Sequence, residues 1–575
     1  MNRRETVERL SRRAAIQLFL AGAGVSVLAA CGVGSAPPQQ APTAALAPTS
    51  AAAAKPAATS AAAAPTAAPT TAAAQPTVVV STPAPATAGA AAGGQPKSGG
   101  TLRVGVPTDI VTLDPVVRGG APYESTWLTF DRLVTYDDKL KPLPMLAESW
   151  DVSPDYSQVQ LNLRKGVTWH TGRDFTSDDV KWNFIRVQDP KAGYGDFAAQ
   201  SAWFTTIDTP DKYTVVLKSE QSRPSMFDFF QQFNMGDKAV LEGPDAKTKS
   251  SGTGPYTFVE WIQGDHITIA KNKNYWNTGK PLLDSIVVHI FAGDQPGTLA
   301  MEGGTLDVLR SGAIPDVARF KADPGYNVNV HPSSGTFYEI AFLTSVKPFD
   351  NKLVRQAFNW AIDRERNASQ VFQGFSQPLN LQWSPSSPAY DADKNKTYTF
   401  DLDKAKSLLQ QAGVSGLSTD VIVTAASPLN TLGFLQIYQA DLAKIGVTIN
   451  IRAYDPATWA GNVLGHTYNA MYATGDVVAN LLPINNLNGP TWRPSPNNTD
   501  WDTPEWKDFI QQVATEPDPA KQKTLYAAMN DYILDQSWAM PFSTNPQILV
   551  TRSNVKGLTT NQYGAWYFTD AWLDT

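Results

Sequence analysis

LVTYDDKLKPLPMLAESWDVSPDYSQVQLNLRKGVTWHTGRDFTSDDVKWNF, residues 133–184, holds two different periodicities in one stretch. VQLNL (159–163) alternates apolar and polar residues, the pattern of a strand with one buried face. TSDDVKWNFI (176–185) opens with Thr176 and Asp179 at capping-box spacing, which predicts a helix start. The acidic pairs agree with this reading. Asp137-Asp138 suits a solvated turn, and Asp178-Asp179 suits a helix N-terminus, where the helix dipole favours carboxylates. The texture is mixed α/β.

The same texture extends outward in both directions. TLRVGV (101–106) reads as a strand ending at the turn-like TLDP, and YTVVL (213–217), HITIA (266–270) and DSIVVHIF (284–291) read as strands. LVRQAFNWAIDRERNASQVFQ (353–373) reads as one long amphipathic helix with Val354, Phe358, Ala361 and Ile362 on one face. DKAKSLLQQAG (403–413) is a helix closed by a C-terminal glycine. A helix over 432–445 leads into a strand at 447–452, and helices near 504–514 and 519–537 precede a last strand, QILV. No internal repeat is visible. A body of nearly 480 residues exceeds one hydrophobic core, so two or three lobes are expected.

Composition narrows the function classes. The chain has 575 residues, 42% of them hydrophobic, with 16 Trp, 19 Tyr and 24 Phe, enough for large cores. Net charge is −6, but residues 1–30 carry five arginines and two glutamates, so the remainder holds 42 basic against 51 acidic residues. An acidic chain without a Lys/Arg cluster argues against nucleic-acid binding. One cysteine excludes an intramolecular disulfide framework and any multi-thiolate metal site.

Enzyme signatures are missing from the sequence. None of the five histidines, His170, His266, His289, His331 and His466, has HExxH spacing or lies three to five residues from another. His266 and His289 fall inside strand patterns and read as structural. No GxSxG elbow or Walker loop occurs, and GTGPY (252–256) lacks the following Lys-Ser/Thr, so it reads as a tight turn. No catalytic residue, cofactor or metal is expected.

The N-terminus reads as an address. Arginines precede an apolar segment from Ala14 to Ala30, broken by Gln17, Gly22, Gly24 and Ser26, which suits an export signal better than a permanent span. Leu28-Ala29-Ala30-Cys31 resembles the bacterial lipobox, which implies lipid attachment at Cys31 and removal of 1–30. Two or more acyl chains suffice for stable anchoring. Ser11-Arg12-Arg13 resembles a twin-arginine signal, with only half of the usual apolar pair. Residues 31–98, mostly Ala, Pro, Thr, Ser, Gly and Gln, bury too little apolar surface to order and read as a flexible tether.

Several blocks in one order resemble the peptide/nickel class of extracytoplasmic solute-binding proteins, family 5, which serve ATP-binding-cassette (ABC) importers. They are KSGGTLRVGVPTDIVTLDPV (97–116), the 133–184 stretch, GTGPYTFVEWIQGDHITIAKNKNYW (252–276), GGTLDV (303–308), FDNKLVRQAFNWAIDRE (349–365), FDLDKAKSLLQQAG (400–413) and DLAKIGVTINI (441–451). The resemblance implies a periplasmic-binding-protein-like clamp (type II, class C) of two lobes with an extra domain and a hinge. Domain I would comprise 99–130, 240–330 and 535–575, domain II 131–239 and domain III 331–534. Ligand would lie between domains I and III. Gly-rich turns near 250–256 and 333–336 are natural crossover points between lobes.

Relatives that bind peptides pair the ligand's ammonium with an Asp in a Trp-x-x-Asp block. The matching stretch, MYATGDVVANLLPINN (471–486), puts Asp476 at the acidic position, with Ala473 where the family has Trp. The alternative for Asp476 is a loop cap. Candidate aromatic ligand contacts are Tyr123 and Trp127 in one lobe, with Tyr338, Trp383, Tyr472 and Trp492 in the other; each would equally suit a core. The function expected is a lipid-anchored, monomeric solute-binding component that delivers an oligopeptide-like solute to an ABC permease and its ATPase subunits, at the outer face of the cytoplasmic membrane. An oligosaccharide is the runner-up ligand. A nickel chelate ranks lower because no convergent histidine pair is visible in the sequence. A surface hydrolase or a signalling receptor are the rivals from other classes.

Overall fold

The computed structural model describes residues 95–575 apart from 111, 118–127, 138, 190–193, 195, 311–312, 332–334, 426–428, 478–481, 488–501, 561–565 and 575. Its strands form three main sheets. The first has seven strands in the spatial order Tyr326–His331, Gln547–Arg552, Val308–Arg310, Thr101–Val106, Ser285–Ile290, His266–Lys271, Tyr256–Ile262. Thr101–Val106 pairs in parallel with Ser285–Ile290 and Val308–Arg310, and the outer pairs are antiparallel. Alternation decides which face is buried: Leu102, Val104, Val106, Ile267, Ile269, Ile286 and Val288 turn to one core, shared with Trp566 and Phe568.

The second sheet is antiparallel, in the order Ala147–Val152, Gln158–Leu163, Thr214–Ser219, Phe204–Asp211. Val159, Leu161 and Leu163 bury one face, as their alternation predicts, against Val180, Phe184 and Val187 of the helix Ser177–Val187 and Phe229 and Phe230 of Met226–Gln232. Each such side chain contributes about 1.5–3 kcal/mol on full burial. The helix begins as its sequence signals: Thr176 is the N-cap, and its backbone N–H donates to Asp179 Oδ2 at 2.8 Å.

The third sheet runs Thr448–Tyr454, Ser418–Thr424, Met471–Val477, Thr336–Phe342, Ala539–Thr544. Helices cover both faces. Val354, Phe358, Leu408, Phe434 and Tyr438 pack with Ile340, Phe342, Met471 and Ala473 on one side. Trp506, Met529 and Ile533 pack with Ala341, Ile422 and Tyr472 on the other. The helix Leu402–Gln411 ends in the expected glycine: Gly413 adopts φ +71°, its N–H donates to Gln410 O, and the Val414 N–H donates to Leu409 O. This is the paired pattern of a Schellman cap. Because Ala539–Thr544 pairs with Thr336–Phe342, the chain leaves this sheet after 544, later than the 535 boundary read from the sequence.

The helix expected over 353–373 is not continuous. The α-helix Lys352–Trp360 ends, a short helical turn covers Arg364–Arg366, and Asn367–Val371 is π-helical. Asp363 restarts the chain by accepting from the Arg366 N–H at 2.9 Å. The break also buries the Arg364 guanidinium, whose Nε donates to Leu379 O at 2.8 Å and Pro541 O at 2.9 Å. Periodicity alone could not reveal that competing cap.

The first two sheets are knitted together. Arg186 of the second grips Asp114 with two bonds of 2.9 and 3.0 Å. Asp131, 1% exposed, accepts from Trp276 Nε1 at 2.8 Å, Thr253 Oγ1 at 3.1 Å and Tyr275 OH at 3.3 Å. His170 packs on the Gly-rich turn: the Gly252 N–H donates to its Nδ1 at 3.2 Å, so Nε2 carries the proton and donates to Gly254 O at 3.0 Å. Gly252 and Gly254 are required there because a Cβ on either would collide with the backbone of Thr129. The third sheet joins this body differently. Among the described strands the chain passes between first and third sheets twice, through 332–335 and 545–546.

Candidate functional site

Two crossovers side by side make a hinge. The Asn545 N–H donates to Thr336 O at 3.0 Å, and Thr336 Oγ1 donates to Asn545 O at 3.3 Å. Gly335, just before Thr336, holds φ +72°, a conformation that favours glycine. Packing continues through the hinge, since Ile314, Val317 and Ile548 belong to the same core as Tyr338 and Phe542.

The strand Met471–Val477 ends at this hinge. It runs parallel to Ser418–Thr424, with Val421 opposite Met471 and Ile422 opposite Tyr472, and antiparallel to Thr336–Phe342. Asp476 stands opposite Phe337 and Val477 opposite Thr336, so Asp476 is at the carboxyl end of its strand, beside the crossover. Open α/β sheets bind ligands at the carboxyl ends of strands.

The other residues picked out by sequence divide into two groups. Cys31, Tyr123, Trp127 and Trp492 lie outside the described residues. Tyr338, Trp383 and Tyr472 are all buried. The Tyr338 ring stacks on Phe542 with centroids 5.8 Å apart, and its hydroxyl donates to Asn545 Oδ1 at 3.1 Å. Trp383 Nε1 donates to Asn530 Oδ1 at 2.6 Å. Tyr472 meets Tyr468 edge-on at 5.4 Å and Trp459 at 6.2 Å. These three rings pack the two faces of the sheet that carries Asp476, Tyr338 on one and Trp383 and Tyr472 on the other.

Sequence reasoning missed two groups here. Asn545 follows a strand end with no motif to mark it. Glu339, fully buried and opposite Thr474, brings a second carboxylate to the strand beside that of Asp476. Its place inside an apolar strand, TFYEIAF, was the available signal. The Asp228 charge of the 226–232 helix acts on Tyr526, whose hydroxyl is pushed above its ordinary pKa mainly by burial and further by that charge. No helix among the described residues is long and apolar enough to cross a membrane.

Residues 141–526 match the family of bacterial extracellular solute-binding proteins, family 5, middle region. The chain belongs to that family. The resemblance read from the sequence blocks is thereby supported, and the family 5 protein has a solute-binding role. It is 29% identical over 405 residues to heme-binding protein A of Haemophilus influenzae, covering 65% of this chain and 72% of that protein. It is 27% identical over 483 residues to the glutathione-binding protein GsiB of Shigella dysenteriae, covering 81% and 92%. The periplasmic binding protein DppA of Helicobacter pylori, solved with the peptide STSA, superposes with a TM-score of 0.73 at 24% identity, covering 83% of this chain and 99% of that one. The fold of the family 5 protein is the type II periplasmic-binding-protein clamp: two lobes, the first enlarged by the second sheet, with a hinge between them.

Proposed function

We propose that this protein captures an oligopeptide-like solute between its lobes and hands it to an ABC permease and the ATPase subunits of that importer, while a lipid on Cys31 and the 31–98 tether keep it at the outer face of the cytoplasmic membrane. The observation that carries the reading is the register position of Asp476, at the carboxyl end of its strand and beside the hinge. A carboxylate enclosed there on closure would meet a peptide ammonium in a low-dielectric setting, where pairing offsets the desolvation of both charges. Tyr123, Trp127 and Trp492 are the proposed aromatic contacts. Tyr338, Trp383 and Tyr472 act from behind, holding the sheet that presents Asp476. Ligand binding shifts an open–closed equilibrium, and the permease reads the closed form.

The test is calorimetric titration of the purified chain with a set of free tetrapeptides and the same peptides N-acetylated, preceded by mass spectrometry of any molecule that co-purifies. Free peptides should bind and acetylation should weaken binding at least tenfold. Equal binding of both forms, or selective binding of oligosaccharides, would overturn the peptide reading.

A further inference from the structure

Five histidines spread through the sequence give no metal motif, and among the described residues no group of three or more His, Cys, Asp or Glu is arranged to enclose an ion. Two of the five nevertheless meet. His266 and His289 are 23 residues apart but stand directly opposite each other on neighbouring antiparallel strands of the first sheet. The next pair along, Asp265 and Ile290, is joined by a bond of 2.8 Å from the Ile290 N–H to Asp265 O. Hydrogen-bonded and non-hydrogen-bonded pairs alternate along such a ladder, so the two histidines occupy a non-hydrogen-bonded pair, the position where facing side chains come closest. Their rings lie 6.2 Å apart, centroid to centroid. Ile267, Ile269, Ile286 and Val288 fill the core on one face of these strands, so both imidazoles project from the other. The His266 side chain keeps 19% of its surface exposed.

We propose that His266 and His289 form a two-nitrogen chelate for one divalent transition-metal ion of the Cu²⁺, Ni²⁺ or Zn²⁺ type. Neutral imidazole suits these ions, and water completes an open surface site. The flanking groups match what a metal-bound imidazole needs. A coordinating ring donates its other N–H to a carboxylate, which fixes its orientation. His266 has a carboxylate at each nitrogen: Asp265 Oδ2 lies 3.2 Å from Nδ1 and Glu260 Oε1 lies 3.3 Å from Nε2. A metal bound at either nitrogen displaces the proton and the carboxylate bond there, the proton passing to solvent, while the other N–H keeps its acceptor.

The pair sits on the fifth and sixth strands of the first sheet, whereas the crossovers leave from the first and second, so this site is separate from the hinge.

The test uses the full chain without any histidine tag. Calorimetric titration with CuSO₄, NiCl₂ and ZnCl₂ at pH 7.5 in a non-chelating buffer should give one ion per chain for at least one metal. His266→Gln and His289→Gln should each weaken binding at least tenfold, the double variant little more, and His466→Asn should leave it unchanged. The Cu²⁺ electron paramagnetic resonance spectrum of the unaltered chain should contain splitting from two imidazole nitrogens, which guards against a variant that folds poorly. Affinity no better than millimolar, unaltered affinity in both variants, or a copper spectrum without nitrogen ligands would each overturn the proposal.

Discussion

Tyr338 and Asn545 clasp the hinge. The tyrosine hydroxyl donates to the asparagine Oδ1 at 3.1 Å, joining the strand that enters the third sheet to the segment that leaves it. Tyr338 is 3% exposed, so little water is available to replace the bond if it is lost. Tyr338→Phe should cost about 1 kcal/mol, the net worth of such a bond. Asn545→Ala should cost a similar amount. In urea unfolding the double variant should lose no more than the worse single one; full additivity would mean that the two side chains are not coupled.

Asp131 gives a pH signature. Burial raises its pKa to about 6, and the bonds from Trp276 and Thr253, the Arg132 charge and the bond from Tyr275 hold it from rising further. The unfolded value is near 4, so between pH 4 and 6 the folded state binds more protons. Stability from this residue is therefore complete below pH 4 and is lost as pH rises through 6. A shift of about two units corresponds to about 3 kcal/mol. Urea midpoints for Asp131→Asn, itself less stable because three donors then compete for one oxygen, should lack this component. A parallel pH profile in the variant and the unaltered chain would refute the assignment.

Two glycine substitutions should act in opposite directions. A Cβ on Gly254 would come 2.6 Å from the Thr129 carbonyl carbon, so Gly254→Ala should destabilise by about 3 kcal/mol or prevent folding. Gly461, inside the helix Pro456–Gly465, has nothing within 4 Å of such a Cβ. Gly461→Ala should stabilise by up to about 1 kcal/mol. Thermal melts of the pair suffice, and a benign Gly254→Ala would contradict the described packing.

The Asp476 reading predicts a specific coupling. Asp476→Asn should weaken a free tetrapeptide at least tenfold and leave the N-acetylated form nearly unaffected, because the acetylated ligand has no ammonium to lose. Equal losses for both ligands would point to a structural role.

Cys31→Ser should move the protein from the membrane fraction to the soluble one, as loss of two or more acyl chains removes stable anchoring. Persistence in the membrane fraction would exclude the lipid as the anchor.

Local patterns in the sequence carried most of the secondary structure. Alternation in VQLNL and the Thr176–Asp179 spacing report on neighbours in the chain, and the strand Gln158–Leu163 and the capped helix Ser177–Val187 follow from them. The break after Trp360 was hidden because Val354, Phe358, Ala361 and Ile362 keep a helical period across it. The candidate site was less legible. The family pattern pointed to Asp476, and its strand register is consistent with a site, but Trp383 and Tyr472 look alike in sequence whether they face a ligand or Asn530 and Tyr468. The His266–His289 pair depends on a register set by strands that composition does not align.

The third sheet also has an unusual accounting in chain topology. All five of its strands come from one unbroken run, 336–544, whose two ends are hydrogen-bonded to each other at Thr336 and Asn545. A segment whose termini touch imposes almost no closure entropy on its host. The whole lobe is thus a cassette: another of different shape and taste could be spliced between the same two residues without rethreading the remainder. One such exchange would replace the third-sheet lobe while the first two sheets kept their own pairing and cores.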